Sequence, residues 1–149
     1  MLRLSRKTAL ALEAVLDIAY NARPDPVQSR DITARQGIPQ RYLEQVLQRL
    51  VREGVLRGVR GPRGGYTLAR ERRRVTLGDV VRVVQGLDTD EDPSPSTAAL
   101  GEKVITPLWE DIEGEILRRF DAITMEDLCR RARGQGIPRA DGTLPDFTI

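Results

Sequence analysis

The sequence predicts a mainly α-helical protein with one small β-hairpin, and two observations support this fold class. Apolar residues recur every three or four positions in several separate stretches, which is the spacing of one buried helix face. A turn rich in glycine and proline, residues 61–65, separates two short runs of β-branched and apolar residues, a pattern typical of a hairpin.

The first predicted helix covers residues 5–22, with Ser5 as its N-cap. Arg6 and Lys7 lie in its first turn, where the helix dipole disfavours cations unless an anion is bound. A phosphate contact and a plain surface position are therefore both open for these two residues. The buried face is predicted to consist of Ala9, Leu12, Val15, Leu16 and Ala19.

A short helix and a tight turn follow. Residues 30–36 are predicted as a helix capped by Ser29, with Ile32 and Ala34 facing inward. Gly37 ends this helix, because glycine tolerates the left-handed conformation that follows a helix C-terminus. The pattern predicts a sharp change of chain direction after residue 36.

The next helix is predicted over residues 39–53, with Pro39 as its first residue. Two helices joined by a tight glycine turn form a helix-turn-helix. The outer side of the second helix carries arginine, glutamine and glutamate, the side chains that read base edges in the major groove. The predicted DNA-contacting residues of this motif are Ser29, Arg30, Gln40, Arg41, Glu44, Gln45 and Arg49. Its buried residues are predicted to be Leu43, Val46, Leu47, Leu50 and Val51.

The hairpin follows this helix directly, with strands predicted at residues 55–60 and 66–69. A helix-turn-helix followed by a hairpin is a winged helix. Arg60 and Arg63 at the hairpin tip are predicted to contact the minor groove or phosphates, although an ordinary surface hairpin has a similar sequence. A basic run after the second strand is expected to face phosphates or solvent: Arg70, Arg72, Arg73 and Arg74.

The second half of the chain begins with Thr76 and Asp79, the pattern of a capping box for a helix that ends near residue 85. Thr124 and Asp127 repeat the pattern before a last helix that ends near residue 133. We therefore divide the chain into a DNA-binding domain (1–87), a mobile acidic linker (88–99), dimerisation helices (100–133) and a flexible tail (134–149).

A wide apolar stripe predicts a long helix between residues 100 and 120. Pro107 lies inside the stripe, so the helix either starts at Thr106 and Pro107 after a preceding helical turn, which we favour, or kinks there. A second copy of the chain across a two-fold axis would bury such a stripe, and so would packing onto the protein's own domain. The predicted dimer interface consists of Leu108, Trp109, Ile112, Ile116 and Phe120.

Charge and composition restrict the function. Residues 1–75 hold 16 basic and 7 acidic side chains, and residues 76–149 hold 8 and 15, which indicates a module for a polyanion joined to a different unit. A solvated basic face would look the same. No apolar run approaches the roughly 18 residues of a membrane span, and no secretory signal begins the chain, so we expect a cytoplasmic protein with no membrane partner.

Cys129 is the single cysteine, which excludes an intrachain disulfide, and the chain has no histidine. We interpret Cys129 as a packed thiol, with a redox role as the alternative because neighbouring arginines lower a thiol pKa. Without histidine and without a paired nucleophile and base, we expect neither an enzyme nor a bound cofactor.

These motifs resemble the bacterial dimeric winged-helix transcription regulators typified by IscR, NsrR and CymR. The similarity extends from residue 4 to about residue 128. It includes Leu4 and Ser5, residues 32–38, Tyr42 to Gln45, Val59 to Pro62, Gly64 to Ala69, Leu108 with Trp109, and Ile123 with Thr124.

The resemblance implies a homodimer on a palindromic DNA operator. It also implies that Arg41, Glu44 and Gln45 read bases and that Arg60 enters the minor groove. Arg41 differs from the small polar residue expected at this position, so the operator sequence cannot be copied from a relative.

The resemblance also shows a departure. Members with an iron–sulfur cluster place three cysteines before the long dimer helix, whereas residues 88–107 contain none. The chain is therefore more similar to the cluster-free type represented by CymR, which senses cysteine status through cysteine synthase.

We expect a repressor that controls cysteine, sulfur or iron–sulfur metabolism. Two alternatives remain: a module that binds an enzyme partner such as cysteine synthase, and a metal or cluster sensor with unusual ligands such as the acidic residues 90–92.

Overall fold

The computed structural model describes residues 5–22, 25–87 and 96–143. Within them lie six α-helices and one antiparallel pair of strands, which confirms the predicted fold class. The helices are α1 (Arg6–Asn21), α2 (Ser29–Gln36), α3 (Gln40–Arg52), α4 (Leu77–Gln85), α5 (Thr106–Asp121) and α6 (Met125–Gly134). The strands are β1 (Leu56–Val59) and β2 (Gly65–Leu68), and a 3₁₀ turn at Arg72–Arg74 follows them.

Helix α1 lies at the centre of the core. Ser5 caps it as predicted, and its hydroxyl oxygen accepts a hydrogen bond from the Thr8 amide at 3.1 Å. The predicted buried face is partly wrong, because Ala9, Leu12 and Leu16 are only half-buried. The helix contacts α2, α3, α4, α6 and β2, and so buries a wider face than one stripe. Its fully buried apolar residues are Ala11, Ala14, Val15 and Ile18.

The helix-turn-helix forms with shifts of one residue. Gly37 ends α2 in the left-handed conformation (φ 67°), as predicted. Ser29 is the first residue of α2 and not its cap, which is Gln28. Pro39 is the N-cap of α3 and not its first residue, since its carbonyl accepts the Leu43 amide at 3.0 Å while its ψ of 129° is extended. Ala34 is exposed, because it lies about 200° around the helix from the buried Ile32.

The hairpin gains a third strand-like segment. Leu56 pairs with Leu68, and Val59 pairs with Gly65. Val27, in the loop between α1 and α2, also exchanges two backbone hydrogen bonds with Tyr66, at 2.7 and 3.0 Å. The loop thus attaches the outer side of the hairpin to the helix-turn-helix.

Both predicted capping boxes are present, at Thr76 with Asp79 and at Thr124 with Asp127. They lie beside each other, because the Leu77 amide donates to the carbonyl of Ile123 and residues 76 and 124 form a β-bridge. Helix α6 consequently packs on α1, and Met125 and Cys129 are fully buried in the same core as the winged helix. The core therefore crosses the predicted boundary at residue 87.

Helix α5 continues from a π-helical turn, Gly101–Ile105. The predicted helical turn before Pro107 is confirmed, but Thr106 does not cap a new helix, because its amide donates to the Gly101 carbonyl inside a continuous helical path. A proline ring presses on the carbonyl four residues before it in a regular helix, and the wider π turn relieves that contact. Residues 88–95 of the predicted linker lie outside the described residues.

Part of the tail that was predicted to be flexible contacts the end of α1. The Tyr20 hydroxyl donates to the Ile137 carbonyl, and the Ala140 amide donates to Asn21 Oδ1 at 2.8 Å, so residues 137–140 return to the C-terminal end of α1. The apolar end of the tail, residues 144–149, lies outside the described residues. None of the helices in the described part of the chain has the length and hydropathy that crossing a membrane requires.

Candidate nucleic-acid interface

The outer side of α3 forms a continuous polar surface, which we call the recognition face. Its residues are Gln40, Arg41, Glu44, Gln45 and Gln48, and all five are exposed. Leu43, Val46, Leu47 and Leu50 on the opposite side are completely buried, as predicted. Burial of these four side chains fixes the rotation of α3 about its axis and so keeps the recognition face toward solvent.

Gln40 connects the two helices of the motif. Its Oε1 accepts a hydrogen bond from the Thr33 hydroxyl at 2.7 Å, and its Nε2 donates to Ser29 Oγ at 3.3 Å and to Glu44 Oε1 at 2.9 Å. Ser29, Gln40 and Glu44 were all predicted as DNA contacts, and the structure brings them together. Thr33 was missed. Its position seven residues before Gln40, across the turn, was the one signal in the sequence.

The start of α1 lies beside α3. The Tyr42 hydroxyl donates to the backbone carbonyl of Lys7, which joins the first turn of α1 to the first turn of α3. Arg6 and Lys7 are both exposed there, and so is Arg30 on α2. The structure therefore places three of the predicted cationic residues on the helices that border the recognition face.

Arg49 differs from the other predicted contacts. Its side chain is half-buried, and its guanidinium forms an ion pair with Glu53 one helical turn later, at 3.2 Å. A nucleic acid would have to compete with this carboxylate for Arg49. The prediction for Arg49 therefore has the weakest geometric support within α3.

The hairpin tip carries Arg60 and Arg63, both exposed. The turn is closed by a 2.9 Å hydrogen bond from the Gly64 amide to the Gly61 carbonyl, with Gly61 at φ 113°. A Cβ on Gly64 would overlap the Val59 carbonyl, so this position requires glycine. The tip is thus a narrow backbone turn that carries two exposed arginines.

The basic run after β2 is mostly engaged within the protein. Arg72 is only 11% exposed and pairs with Glu126 of α6 at 3.1 Å, so the expectation that it faces phosphates or solvent is wrong. Arg70 pairs with Asp79, and Arg73 with Glu71. The physical reason for the burial of Arg72 is that α6 packs against the 3₁₀ turn and supplies Glu126 as its partner.

A buried carboxylate holds α2 against α1. The Asp17 side chain is completely buried and accepts two hydrogen bonds from the Arg35 guanidinium, at 2.7 and 2.9 Å, and one from Gln36 at 2.9 Å. The hydrogen bonds to Asp17 raise the pKa of Arg35. This cluster keeps the first helix of the helix-turn-helix in one orientation.

The predicted dimer surface divides into two parts. Leu108 and Trp109 are 54% and 47% exposed, whereas Ile112, Ile116 and Phe120 are half-buried. The C-terminal end of α5 is attached to α4 by Arg82, which donates two hydrogen bonds to Asp121 at 2.6 and 2.7 Å. This arrangement lowers the pKa of Asp121. Exposed apolar residues continue toward the N-terminus of the helix at Leu100, Val104 and Ile105.

Cys129 is completely buried among apolar residues. Burial raises the pKa of its thiol, and the nearby Arg72 opposes that effect only in part. The predicted lowering by arginines is therefore outweighed, which favours the packed-thiol interpretation over the redox alternative. Within residues 5–22, 25–87 and 96–143, no group of three or more cysteine, aspartate or glutamate side chains is placed to hold a metal ion.

Residues 4–131 match the model of the Rrf2 family, described as an iron-dependent transcriptional regulator. The residues present do not fit a cluster held by cysteine thiolates, since the chain has one cysteine, which is buried in the core, and no histidine.

Named relatives agree with the family match. HTH-type transcriptional regulator IscR of Salmonella paratyphi B and of Salmonella newport are each 33% identical over 156 residues, with 97% of this chain and 95% of theirs covered. Among solved structures, T. potens IscR is 31% identical with a TM-score of 0.73, covering 94% of this chain and 95% of that one. CymR of B. subtilis, named the global cysteine regulator, is 28% identical with a TM-score of 0.70, covering 88% and 98%. The chain belongs to the Rrf2 family of winged-helix, DNA-binding transcriptional regulators.

Proposed function

We propose that this regulator acts in the cytoplasm as a sequence-specific repressor, binding a palindromic operator as a homodimer without a cysteine-held iron–sulfur cluster. The observation that supports this most directly is the exposed recognition face of α3, joined through a short turn to a narrow wing with two exposed arginines. A recognition helix and a wing together allow contacts in adjacent major and minor grooves.

Three roles follow for the predicted contacts. Arg41, Glu44 and Gln45 read base edges from the major groove, since all three are exposed on one side of α3. Arg60 enters the minor groove and Arg63 contacts the groove or a phosphate. Five of the remaining predicted contacts bind phosphates: Arg6, Lys7, Ser29, Arg30 and Arg49. Gln40, whose amide is hydrogen-bonded within the protein, positions its neighbours instead.

Selection of binding sequences from random DNA, followed by footprinting, tests the proposal. We expect the selected sequences to share a palindrome with half-sites about one helical turn apart. Selection of no common sequence, together with affinity that depends on salt but not on sequence, would contradict it.

Two single variants separate base reading from phosphate binding. Glu44→Ala removes a base contact and should reduce discrimination at one base pair by about 1–3 kcal/mol. Arg30→Ala should weaken all DNA about equally and reduce the salt slope by about one. Similar effects of the two variants on discrimination would show that these roles are assigned wrongly.

A separate experiment tests the proposal that the protein binds no cysteine-held iron–sulfur cluster. Protein purified under anaerobic conditions should show no visible absorbance and no stoichiometric iron, and its operator affinity should not change when iron chelators are added. A coloured protein with bound iron would favour the alternative of a sensor with unusual ligands, for which residues 90–92 would be the first candidates.

The exposed apolar residues of α5 also support a second candidate, in which another protein covers them. CymR of B. subtilis is named a global cysteine regulator, so an operator near genes of cysteine or sulfur metabolism and an enzyme partner such as cysteine synthase are the specific form of this candidate. Stoichiometric recovery of one enzyme with the protein, dependent on the α5 surface, would favour it over a regulator that binds only DNA.

A further inference from the structure

The hydrogen bonds of Gln40 form a chain that starts in α2 and ends at Glu44. Thr33 donates to Gln40 Oε1 at 2.7 Å, and Gln40 Nε2 donates to Glu44 Oε1 at 2.9 Å and to Ser29 Oγ at 3.3 Å. Each of the two Nε2 protons therefore has an acceptor, and the amide oxygen has a donor. The Gln40 side chain is fully engaged within the protein.

The carboxylate determines which way the amide points. If the Gln40 amide were flipped, its oxygen would face Glu44 Oε1 and two acceptors would repel each other. With Nε2 toward Glu44, the oxygen necessarily faces Thr33, whose hydroxyl can donate. Thr33 therefore supports the one amide orientation that Glu44 accepts.

Glu44 has few other restraints. Its side chain is exposed, and among the described residues its hydrogen-bond partner is Gln40 Nε2. A free glutamate at this position would sample several rotamers, and ordering it on binding would cost affinity. The hydrogen bond from Gln40 holds one carboxylate oxygen and leaves Oε2 available to a base.

We propose that Thr33 and Gln40 are positioning residues that determine sequence specificity by orienting Glu44. This inference rests on the proposed function, in which Glu44 reads a base. A carboxylate accepts a hydrogen bond from the amino group of cytosine and repels the acceptor atoms of guanine. Fixing the direction of the Glu44 carboxylate strengthens the discrimination between cytosine and guanine. Helix α2 would then influence base selection through Thr33 and Gln40 without contacting a base itself.

The experiment compares Thr33→Val with Thr33→Ser. Valine keeps the shape of threonine and removes the hydroxyl, whereas serine keeps the hydroxyl. Each is measured for binding to the selected operator, to the operator with the Glu44-contacted base pair exchanged, and to unrelated DNA. Thermal unfolding verifies that both variants are folded.

We expect Thr33→Val to lower discrimination at that base pair by between about twofold and tenfold, the effect of freeing one side chain. Affinity for unrelated DNA and the salt slope should not change, and Thr33→Ser should restore discrimination. In a Glu44→Ala background, Thr33→Val should have no further effect. Unchanged discrimination in Thr33→Val, or a loss that persists undiminished without Glu44, would overturn the proposal.

A second measurement needs no DNA. Side-chain NMR of the free protein should show one dominant Glu44 rotamer and a single Gln40 amide environment in wild type, both lost in Thr33→Val. A Glu44 side chain that averages over several rotamers in wild type would overturn the proposal that Thr33 and Gln40 orient it, even if operator binding is normal. A fixed Glu44 in a protein that selects no DNA sequence would instead show that the proposed function is wrong.

Discussion

At the scale of single residues, substitutions of Asp17 and of Arg35 should lower the unfolding free energy by different amounts. Asp17 is completely buried, whereas Arg35 is 30% exposed and can turn toward solvent. Arg35→Ala leaves a buried carboxylate without its main partner and should cost about 3 kcal/mol of unfolding free energy. Asp17→Asn should cost less. Urea unfolding of both variants measures the difference, and the opposite order would contradict this account of the pair.

The titration of Arg35 should contribute little to the pH dependence of the protein's stability. Its hydrogen bonds raise the pKa of Arg35, so this contribution to stability is present below the unfolded-state pKa and is lost only as the pH rises through the folded-state value, in strongly alkaline solution. The titration of Arg35 should therefore add no pH dependence to the unfolding free energy of the wild-type protein near neutral pH, which urea unfolding at several pH values measures.

Cys129 gives a second prediction at this scale. Burial raises the pKa of its thiol, so the folded protein should react with a thiol reagent at neutral pH far more slowly than the urea-unfolded protein does. The neutral thiol is favoured in the fold, and this contribution to stability is present below about pH 9 and lost as the pH rises through the folded-state pKa. Rapid labelling of Cys129 in the folded protein would contradict the packed-thiol interpretation and favour the redox role.

At the scale of elements, the wing depends on the loop that pairs with it. Gly65 has φ 155°, and a Cβ there would overlap the Val27 carbonyl, which is backbone and cannot move aside alone. Gly65→Ala should separate the loop from β2, with a cost of about 1–3 kcal/mol and weaker operator binding.

Gly58→Ala is the matched control, because a Cβ at that position of β1 meets open space. Thermal unfolding and operator affinity should therefore change little in this variant. If Gly65→Ala behaved like Gly58→Ala in both measurements, the pairing between Val27 and Tyr66 would not contribute to the wing.

The elements also show how far local sequence determines structure. Both capping boxes, the turn at Gly37 and the turn of the hairpin were predicted, because each depends on residues within about four positions of one another. The rotation of α1 was not predicted in full, because five other elements surround it and apolar spacing alone shows only one stripe. The third segment of the wing at Val27 has no local signal either.

At the scale of the whole molecule, the apolar surface of α5 predicts the oligomeric state. Leu108→Arg places a charge on that surface and should convert a dimer into a monomer, with weaker binding to a palindrome and unchanged binding to a half-site. Size-exclusion chromatography with light scattering measures the oligomeric state, and gel-shift titrations measure the affinities for the palindrome and the half-site.

Glu110→Arg is the control for this change. Glu110 is exposed and lies about 200° around α5 from Leu108, so the same arginine there should leave the dimer intact. A Leu108→Arg protein that remains dimeric would show that the copies meet elsewhere and would favour a partner protein on this surface.

The sequence by itself determined the helix-turn-helix, the wing, the two capping boxes and the lack of cysteines for a cluster, because these depend on short-range spacing and on composition. The tertiary structure alone decided that α6 completes the winged-helix core, that Arg72 is paired and covered, and that Thr33 reaches Glu44 through Gln40. Contacts between distant segments depend on how whole faces pack together. Apolar periodicity shows which face of a segment is buried, but it does not show which other segment packs against that face.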